Sequence, residues 1–554
     1  MLALTAVAAA LISQAGMMLV YHLGHTVRPV TLKSCILIAG VAFFSIIIIS
    51  AFQFLFGRKG TVSFILAAFC ALITIHSFFS PINEVYFRYP SLAAILMIEF
   101  LAVPFIIGKQ EREKFQISKG AAPENCFAVI ALVIGLFICI CTPVSSYNCW
   151  DDETHYSRTV FLSQGIYSSF TEADIRLIYS PNPVYDIETR ISDINMYDNM
   201  EQNPNQVIVM SDSKALFVDR IAYIGNVAFR WIAQLLGLSF SVKYILGRIG
   251  GLLLYIAVMY CAIRHLKSGK LLLSAIALSP TIFYISCNYS QDPWVFGFFS
   301  LGFAYFFRAI EDREKLSNRT LVIMLGNFVI ACLPKMPYCI LLFTLLFIPK
   351  NQFQNEKQRK VFVFAVIVSL VAIVSIVFLP SLFLEDVVGD TRGGENVNMI
   401  EQLKFSVSNI PTYIGILSNC LVEYVAPQKI AISLSNMNAG NIHWIGIVYS
   451  FLLVLFAFVD GVKIPVSIRI SGCVIIIAQV IALITSMYLI FTPVGAASVS
   501  GFQSRYLFPM LLPVLAYTVG GWLKYKIKSS AMLLIPALLT VLSFIQVIII
   551  PSFV

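Results

Sequence analysis

The chain has 554 residues, of which 58% are hydrophobic and 12% charged, with a formal net charge of +9. Soluble domains carry about 25% charged residues, so a water-soluble globule is excluded. The positive balance does not point to nucleic acid, because the basic residues come in small groups between apolar runs, as in cytoplasmic loops.

In chain order, about fifteen apolar runs reach or approach the ~20 residues needed to cross hydrocarbon. They cover roughly 2–22, 35–56, 61–79, 91–108, 126–145, 243–263, 271–287, 293–310, 320–334, 337–349, 361–383, 442–459, 470–492, 506–523 and 530–550. These predict an all-α polytopic membrane protein. The alternation of a membrane β-barrel is missing from the sequence. The first run, Leu2 to Val20, lacks a basic leader and continues into further spans, so it reads as a retained helix and not a signal peptide. Glu99 lies in the middle of the fourth run, where carboxylates are functional or paired. The cysteines fall mostly inside apolar runs and show no CxxC spacing, which predicts neither a disulfide framework nor structural zinc.

Alternate gaps between the runs collect the cations: Arg58-Lys59, Lys109 to Lys119, Arg264 to Lys270, Arg308 to Arg319, Lys350 to Lys360, Lys463 to Arg469, and Lys524 to Lys528. The positive-inside rule then predicts a cytoplasmic N-terminus. It leaves two large segments outside, 146–241 and 384–441. The first begins with the acidic stretch 146–215. That stretch is followed at 216–237 by apolar residues interleaved with Arg220 and Arg230, the pattern of a helix lying in the membrane interface.

Four polar sets share the outer face in this topology. They are Asp151, Asp152, Glu153, His155 and Arg158; Asn288 to Asp292; Lys335 within Pro334 to Pro337; and Gln503, Arg505 and Tyr506. Carboxylates can take a proton from an attacking hydroxyl. Arg and Lys can hold a phosphate, Arg with bidentate geometry. A substrate with a phosphate at headgroup level and a long apolar tail fits that combination. Singly, the same residues have plainer readings: Lys335 and Arg505 as cations snorkelling to the interface, Asp292 as a helix N-cap ahead of Pro293, and His155 as an ordinary loop histidine.

These residues resemble the motifs of the bacterial integral-membrane family named domain of unknown function 2142, which is similar to GT-C glycosyltransferases. The family's acidic motif matches Asp152-Glu153-Thr154-His155-Tyr156-Ser157-Arg158 followed by Ser163-Gln164-Gly165, with threonine where the family has proline. Further matches are Arg248 in Leu246-Gly247-Arg248, Ser279-Pro280 before Ser290-Gln291-Asp292, and Lys335-Met336-Pro337-Tyr338. The last are Thr492-Pro493-Val494-Gly495 and Gln503-Ser504-Arg505-Tyr506-Leu507-Phe508-Pro509, with serine for the family's glycine.

The resemblance covers roughly 126–525 and leaves the first four spans as an added module. It implies a four-span N-terminal module over 1–124 and a GT-C-like core over 125–554. The expected activity is inverting transfer of a sugar from a polyprenyl-phosphate donor to a cell-surface glycan, lipid or protein. The expected location is the extracytoplasmic face of a bacterial inner membrane. Asp152 is the expected general base, with Glu153 beside it; the two are the expected ligands if a divalent cation takes part. His155, Arg158, Arg248, Asp292, Lys335, Gln503, Arg505 and Tyr506 are the expected substrate-binding residues. Other classes compatible with the residues are a lipid-linked glycan flippase or transporter, a polysaccharide polymerase, and a non-catalytic scaffold of a cell-wall assembly complex.

Overall fold

A computed structural model describes residues 122–145, 148–164, 167–179, 187–201, 206–210, 217–383, 396–424, 443–519 and 530–549. The four expected spans before residue 122, with Glu99, lie outside the described residues, as does the glycine-rich stretch Gly389 to Gly394. Every apolar run expected from 126 onward is helical over most of its described length. Among the described residues, five helices are long and apolar enough to cross a membrane: Pro123–Cys141, Phe240–His265, Asp292–Asp312, Glu356–Ile376 and Val466–Phe491.

The chain enters on α1 (Pro123–Cys141), with proline in its first turn where no N–H is needed. The extramembrane segment follows as α2 (Asp152–Gln164), β1 (Tyr167–Thr171), α3 (Glu172–Tyr179), α4 (Ile187–Glu201) and β2 (Gln206–Met210). The strands pair antiparallel, Tyr167 opposite Met210 and Thr171 opposite Gln206. This small sheet departs from the all-α expectation, since short polar strands such as Tyr-Ser-Ser-Phe-Thr carry little periodic signal. Helix α3 opens on a reciprocal cap. Thr171 Oγ1 accepts the Asp174 N–H at 3.2 Å, and Asp174 Oδ2 accepts the Thr171 N–H at 2.9 Å.

A 3₁₀ turn at Phe217–Tyr223 leads into α5 (Ile224–Leu235), which packs along α6 (Phe240–His265). The two helices touch backbone to backbone: a Cβ on Gly225 would lie 2.6 Å from the Gly250 carbonyl oxygen. Helix α5 is inverted relative to a soluble helix. It exposes Ile224, Trp231, Ile232 and Leu235 and buries Asn226 and Arg230. That arrangement suits an apolar environment on its outer side, as the interleaved pattern predicts.

The expected span at 271–287 is instead two short helices, α7 (Lys270–Ala277) and α8 (Pro280–Ser286). Pro280 has no N–H to continue the ladder, so the helix breaks at Ser279. The freed carbonyls are satisfied inside the bundle. Tyr255 donates to Ala277 O at 2.8 Å, and Thr540 donates to Leu278 O at 2.6 Å.

Helices α9 (Asp292–Asp312) and α10 (Asn318–Cys332) pack as neighbours, followed by a 3₁₀ segment at Met336–Phe347 in place of the expected short helix. Helix α11 (Glu356–Phe383) follows. The region expected as a single outer loop, 384–441, contains α12 (Met399–Ser408) and α13 (Ile410–Tyr424). Both rest on α15 (Val466–Phe491): Tyr413 meets its Thr485 at 2.6 Å, and Gln402 Oε1 accepts the Gly495 N–H at 2.8 Å from the loop that follows it. Then come α14 (His443–Val459), α15 (Val466–Phe491), α16 (Phe508–Thr518) and α17 (Leu534–Phe544). One continuous apolar core, including Phe299, Phe303, Phe307, Phe328 and Phe508, joins α1, α6, α9, α10 and α16.

Candidate functional site

Four segments distant in sequence converge where α2, α9, the 3₁₀ segment 336–347 and α16 begin. Each brings its polar residue to a helix start.

Asp292 stands in the first turn of α9, and its carboxylate makes no capping bond to the backbone. The N-cap reading is therefore corrected: the group is taken by cations. Lys335 Nζ donates to Asp292 Oδ1, and Arg505 Nη1 lies 3.3 Å from Asp292 Oδ2. Arg505 also reaches backward to Asp151, with Nη2 3.1 Å from Oδ2.

The Arg505 side chain is 2% exposed, so this cation does not snorkel to water. Burial alone would lower its pKa, but Asp292, Tyr506 and Asp151 more than reverse that and hold it charged. The guanidinium is clasped between Trp150, 4.8 Å from its ring centre, and Tyr506, at 5.3 Å. Tyr506 also faces Lys335, with Nζ 4.5 Å from the ring centre. Arg505 Nε and Gln503 Oε1 are buried and have no hydrogen-bond partner among the described residues.

The geometry separates Asp151 from Asp152. Asp151 holds a left-handed backbone conformation, φ 55°, which Asp tolerates better than most residues. It stands at the head of α2, where its carbonyl accepts the His155 N–H at 2.9 Å and its side chain reaches Arg505. Asp152 is fully buried and turned the other way; its Oδ2 accepts the Cys149 N–H at 3.1 Å and closes the turn into α2. Consecutive helix residues point about 100° apart, so one carboxylate faces the cations and the other the turn.

The remaining expected site residues divide. Tyr506 and Lys335 belong to the cluster. Glu153 is half-buried on α2, with the Thr154 hydroxyl 3.5 Å from its Oε1. His155 is buried, and its Nδ1 meets the Tyr223 hydroxyl at 2.6 Å. Burial, reinforced by Arg158, lowers its pKa to about 3, so the ring is neutral. Arg158 is half-buried and acts on His155 through its charge. Arg248 lies apart from the cluster. Its guanidinium is fully buried and donates to the Thr142 and Pro143 carbonyls at 3.0 and 2.9 Å, tying α6 to the end of α1. Its Nε is buried without a hydrogen-bond partner among the described residues.

The profile of the family described as "Predicted membrane protein (DUF2142)" matches residues 132–514, more than half of the chain. The chain belongs to the DUF2142 family. No curated protein and no solved structure matches it. The matched region contains the whole cluster, from Trp150 to Tyr506.

Within this DUF2142 protein, no group of three His, Cys, Asp or Glu among the described residues is spaced to hold a metal ion. Asp151 and Asp292 are engaged by Arg505 and Lys335. One member of the DUF2142 cluster, Trp150, is absent from the polar sets read in the sequence. Asp151 stands in the first of those sets but outside the family motif, which begins at Asp152. Trp150 carried one usable signal: an aromatic ring beside an acidic run, at the mouth of a span.

Proposed function

We propose that this DUF2142 protein is an inverting, GT-C-type glycosyltransferase of a bacterial inner membrane. It moves a sugar from a polyprenyl-phosphate donor to a cell-surface glycan, lipid or protein at the extracytoplasmic face. One observation carries the reading: Arg505 and Lys335 meet on Asp292 at the head of apolar helices, and the buried Arg505 keeps an unpartnered Nε–H. An anion that arrives with an apolar tail finds two cations at that level and hydrocarbon-facing helices below it.

The chemistry follows from the charges. The acceptor hydroxyl oxygen attacks the anomeric carbon. The bond from that carbon to the phosphate oxygen breaks, and its electron pair leaves on the polyprenyl phosphate, held by Arg505 and Lys335. The hydroxyl proton passes to a carboxylate. Asp151 suits that role better than Asp152, because its side chain is 36% exposed while Asp152 is buried in a turn. When the donor phosphate takes Arg505, that cation's hold on Asp151 weakens and the carboxylate becomes a stronger base.

The deciding experiment replaces Arg505 with Gln in the native cell and analyses envelope polysaccharides and lipid-linked sugars. Loss of one sugar, with its polyprenyl-phosphate form accumulating at the outer leaflet, is expected. Accumulation confined to the inner leaflet would identify a flippase instead. Unchanged envelope composition with a membrane-inserted variant would overturn both.

A further inference from the structure

The end of α9 remote from Asp292 carries a second concentration of cations. Helix α9 runs from Asp292 to Asp312, so its ends lie ~30 Å apart, about the depth of the hydrocarbon. Past the far end, residues 313–319 include Arg313, Lys315 and Arg319, all exposed. Arg313 holds a left-handed backbone conformation, φ 57°, at the helix cap, where glycine is the ordinary residue. The turn keeps a cation there in spite of the strain. The head of α11 adds the exposed Lys357 and Lys360.

Hydrogen bonds fasten these two segments together. The Leu316 N–H donates to the Gln352 carbonyl at 2.7 Å, and the buried Gln352 amide donates to the Ala309 carbonyl at 2.9 Å. Gln358 Nε2 donates to the Leu316 carbonyl at 3.1 Å and to Asn318 Oδ1 at 2.8 Å. The cations therefore stand on one fixed surface before a ligand arrives. Two flanking carboxylates are committed: Asp312 to Lys267 and Arg308, and Glu356 to Arg359. Within 313–319 the one carboxylate is Glu314. The same two lysines begin an apolar stripe. Steps of three and four residues lead from Lys357 and Lys360 to Val361, Phe364, Val368 and Val371, which share a face of α11. All four are exposed, Phe364 by 67%, and little of this span is buried against the bundle.

We infer that this end of α9 and α11 binds an anionic phospholipid, with the headgroup phosphate among Arg313, Lys315, Arg319, Lys357 and Lys360 and an acyl chain along the stripe of α11. Charge and shape agree on that occupant. A soluble acidic partner would match the cations and leave the stripe uncovered. A zwitterionic lipid would cover the stripe and bring its own ammonium to the cations. The site lies at the opposite end of α9 from the cluster around Arg505, goes beyond the proposed transferase and does not depend on it.

The test is native mass spectrometry of the full chain in a non-ionic detergent, titrated with dioleoylphosphatidylglycerol and, separately, dioleoylphosphatidylcholine. Phosphatidylglycerol is expected to bind on the order of tenfold more tightly. The combined variant Lys315→Gln, Arg319→Gln, Lys357→Gln, Lys360→Gln should bring the two lipids within about twofold, with thermal unfolding unchanged because all four side chains are exposed. Arg264→Gln with Lys463→Gln removes exposed cations from other segments at the same end and should leave the preference intact. Phe364→Ser with Val368→Ser should weaken both lipids several-fold. Equal binding of the two lipids by the unmodified chain would overturn the inference, as would a preference that survives the fourfold variant. A preference lost equally in the Arg264 and Lys463 variant would mean diffuse attraction and no site. Glycerol phosphate competing as well as the lipid would reduce the site to a phosphate contact, and displacement by polyglutamate would make it a docking surface for an acidic protein; either result overturns the lipid assignment. No sugar donor is present, so the outcome is independent of the transferase reading.

Discussion

Arg505 Nη1 lies 3.3 Å from Asp292 Oδ2, and Arg505 Nη2 lies 3.1 Å from Asp151 Oδ2. One buried cation therefore joins the head of α2 to the head of α9. The pairing is costly to build in a low-dielectric site and is destabilised when one of its buried partners, Arg505 or Asp292, is removed. It leaves the cation charged and geometrically fixed before any ligand arrives.

The first prediction concerns the shape of that cation. Arg505→Lys keeps the charge but loses the planar fork and its stacking between Trp150 and Tyr506. Transfer from a polyprenyl-phosphate sugar should fall on the order of 100-fold in reconstituted vesicles. A rate within a factor of two of the unmodified chain would show that Arg505 is only structural.

The two adjacent aspartates should respond differently. Asp151→Asn should lower turnover strongly while thermal unfolding in detergent changes little, because its side chain is partly exposed. Asp152→Asn should instead lower stability, by about 1 kcal/mol, through the weakened bond to the Cys149 N–H. Measuring turnover and unfolding for both variants separates the roles. The reverse pattern would restore Asp152 as the base.

His155 gives a pH dependence. Its folded pKa is depressed to about 3, below the ordinary histidine value, so the unfolded chain binds the proton more readily. The contribution is fully present above the unfolded pKa of about 6.5 and is lost as pH falls from there toward 3. Unfolding midpoints recorded across that window should decline with acid, and His155→Gln should flatten the decline. An equally steep decline in the variant would assign it to other groups.

A fourth prediction tests the extramembrane network. Arg230 donates to the Tyr156 hydroxyl and pairs with Asp174 at 3.3 Å, while Tyr156 donates to Asp174 Oδ1 at 2.6 Å. All three side chains are buried. Arg230→Met leaves the Asp174 charge without its cation and should cost about 3–5 kcal/mol. The double variant Arg230→Met with Asp174→Asn should recover part of that loss. Equal stability of the single and double variants would mean the ion pair is not coupled.

Much of this architecture is legible in composition. Runs of apolar residues long enough to cross hydrocarbon can satisfy their backbone there only as helices, so Pro123–Cys141, Phe240–His265 and Val466–Phe491 follow from the sequence directly. The polar breaks between runs also give Asp292, Lys335 and Arg505 as candidates, since a charge beside an apolar helix is rare enough to stand out. Pro280 stands in the sequence, yet 271–287 reads there as one span. The break is accepted because hydroxyls of Tyr255 and Thr540, from helices remote in sequence, satisfy its carbonyls.

The sequence by itself therefore determined the class, the helical segments and the short roster of polar residues, because these depend on local composition and period. Only the tertiary structure decided how that roster is used. Arg248 is spent on the carbonyls at the end of α1, Asp152 on the turn before α2, and Asp151 on Arg505. The direction of a side chain at a helix start, and which remote cation it meets, depend on how the helices pack. A motif register reads along the chain and cannot resolve a rotation of one residue about a helix axis.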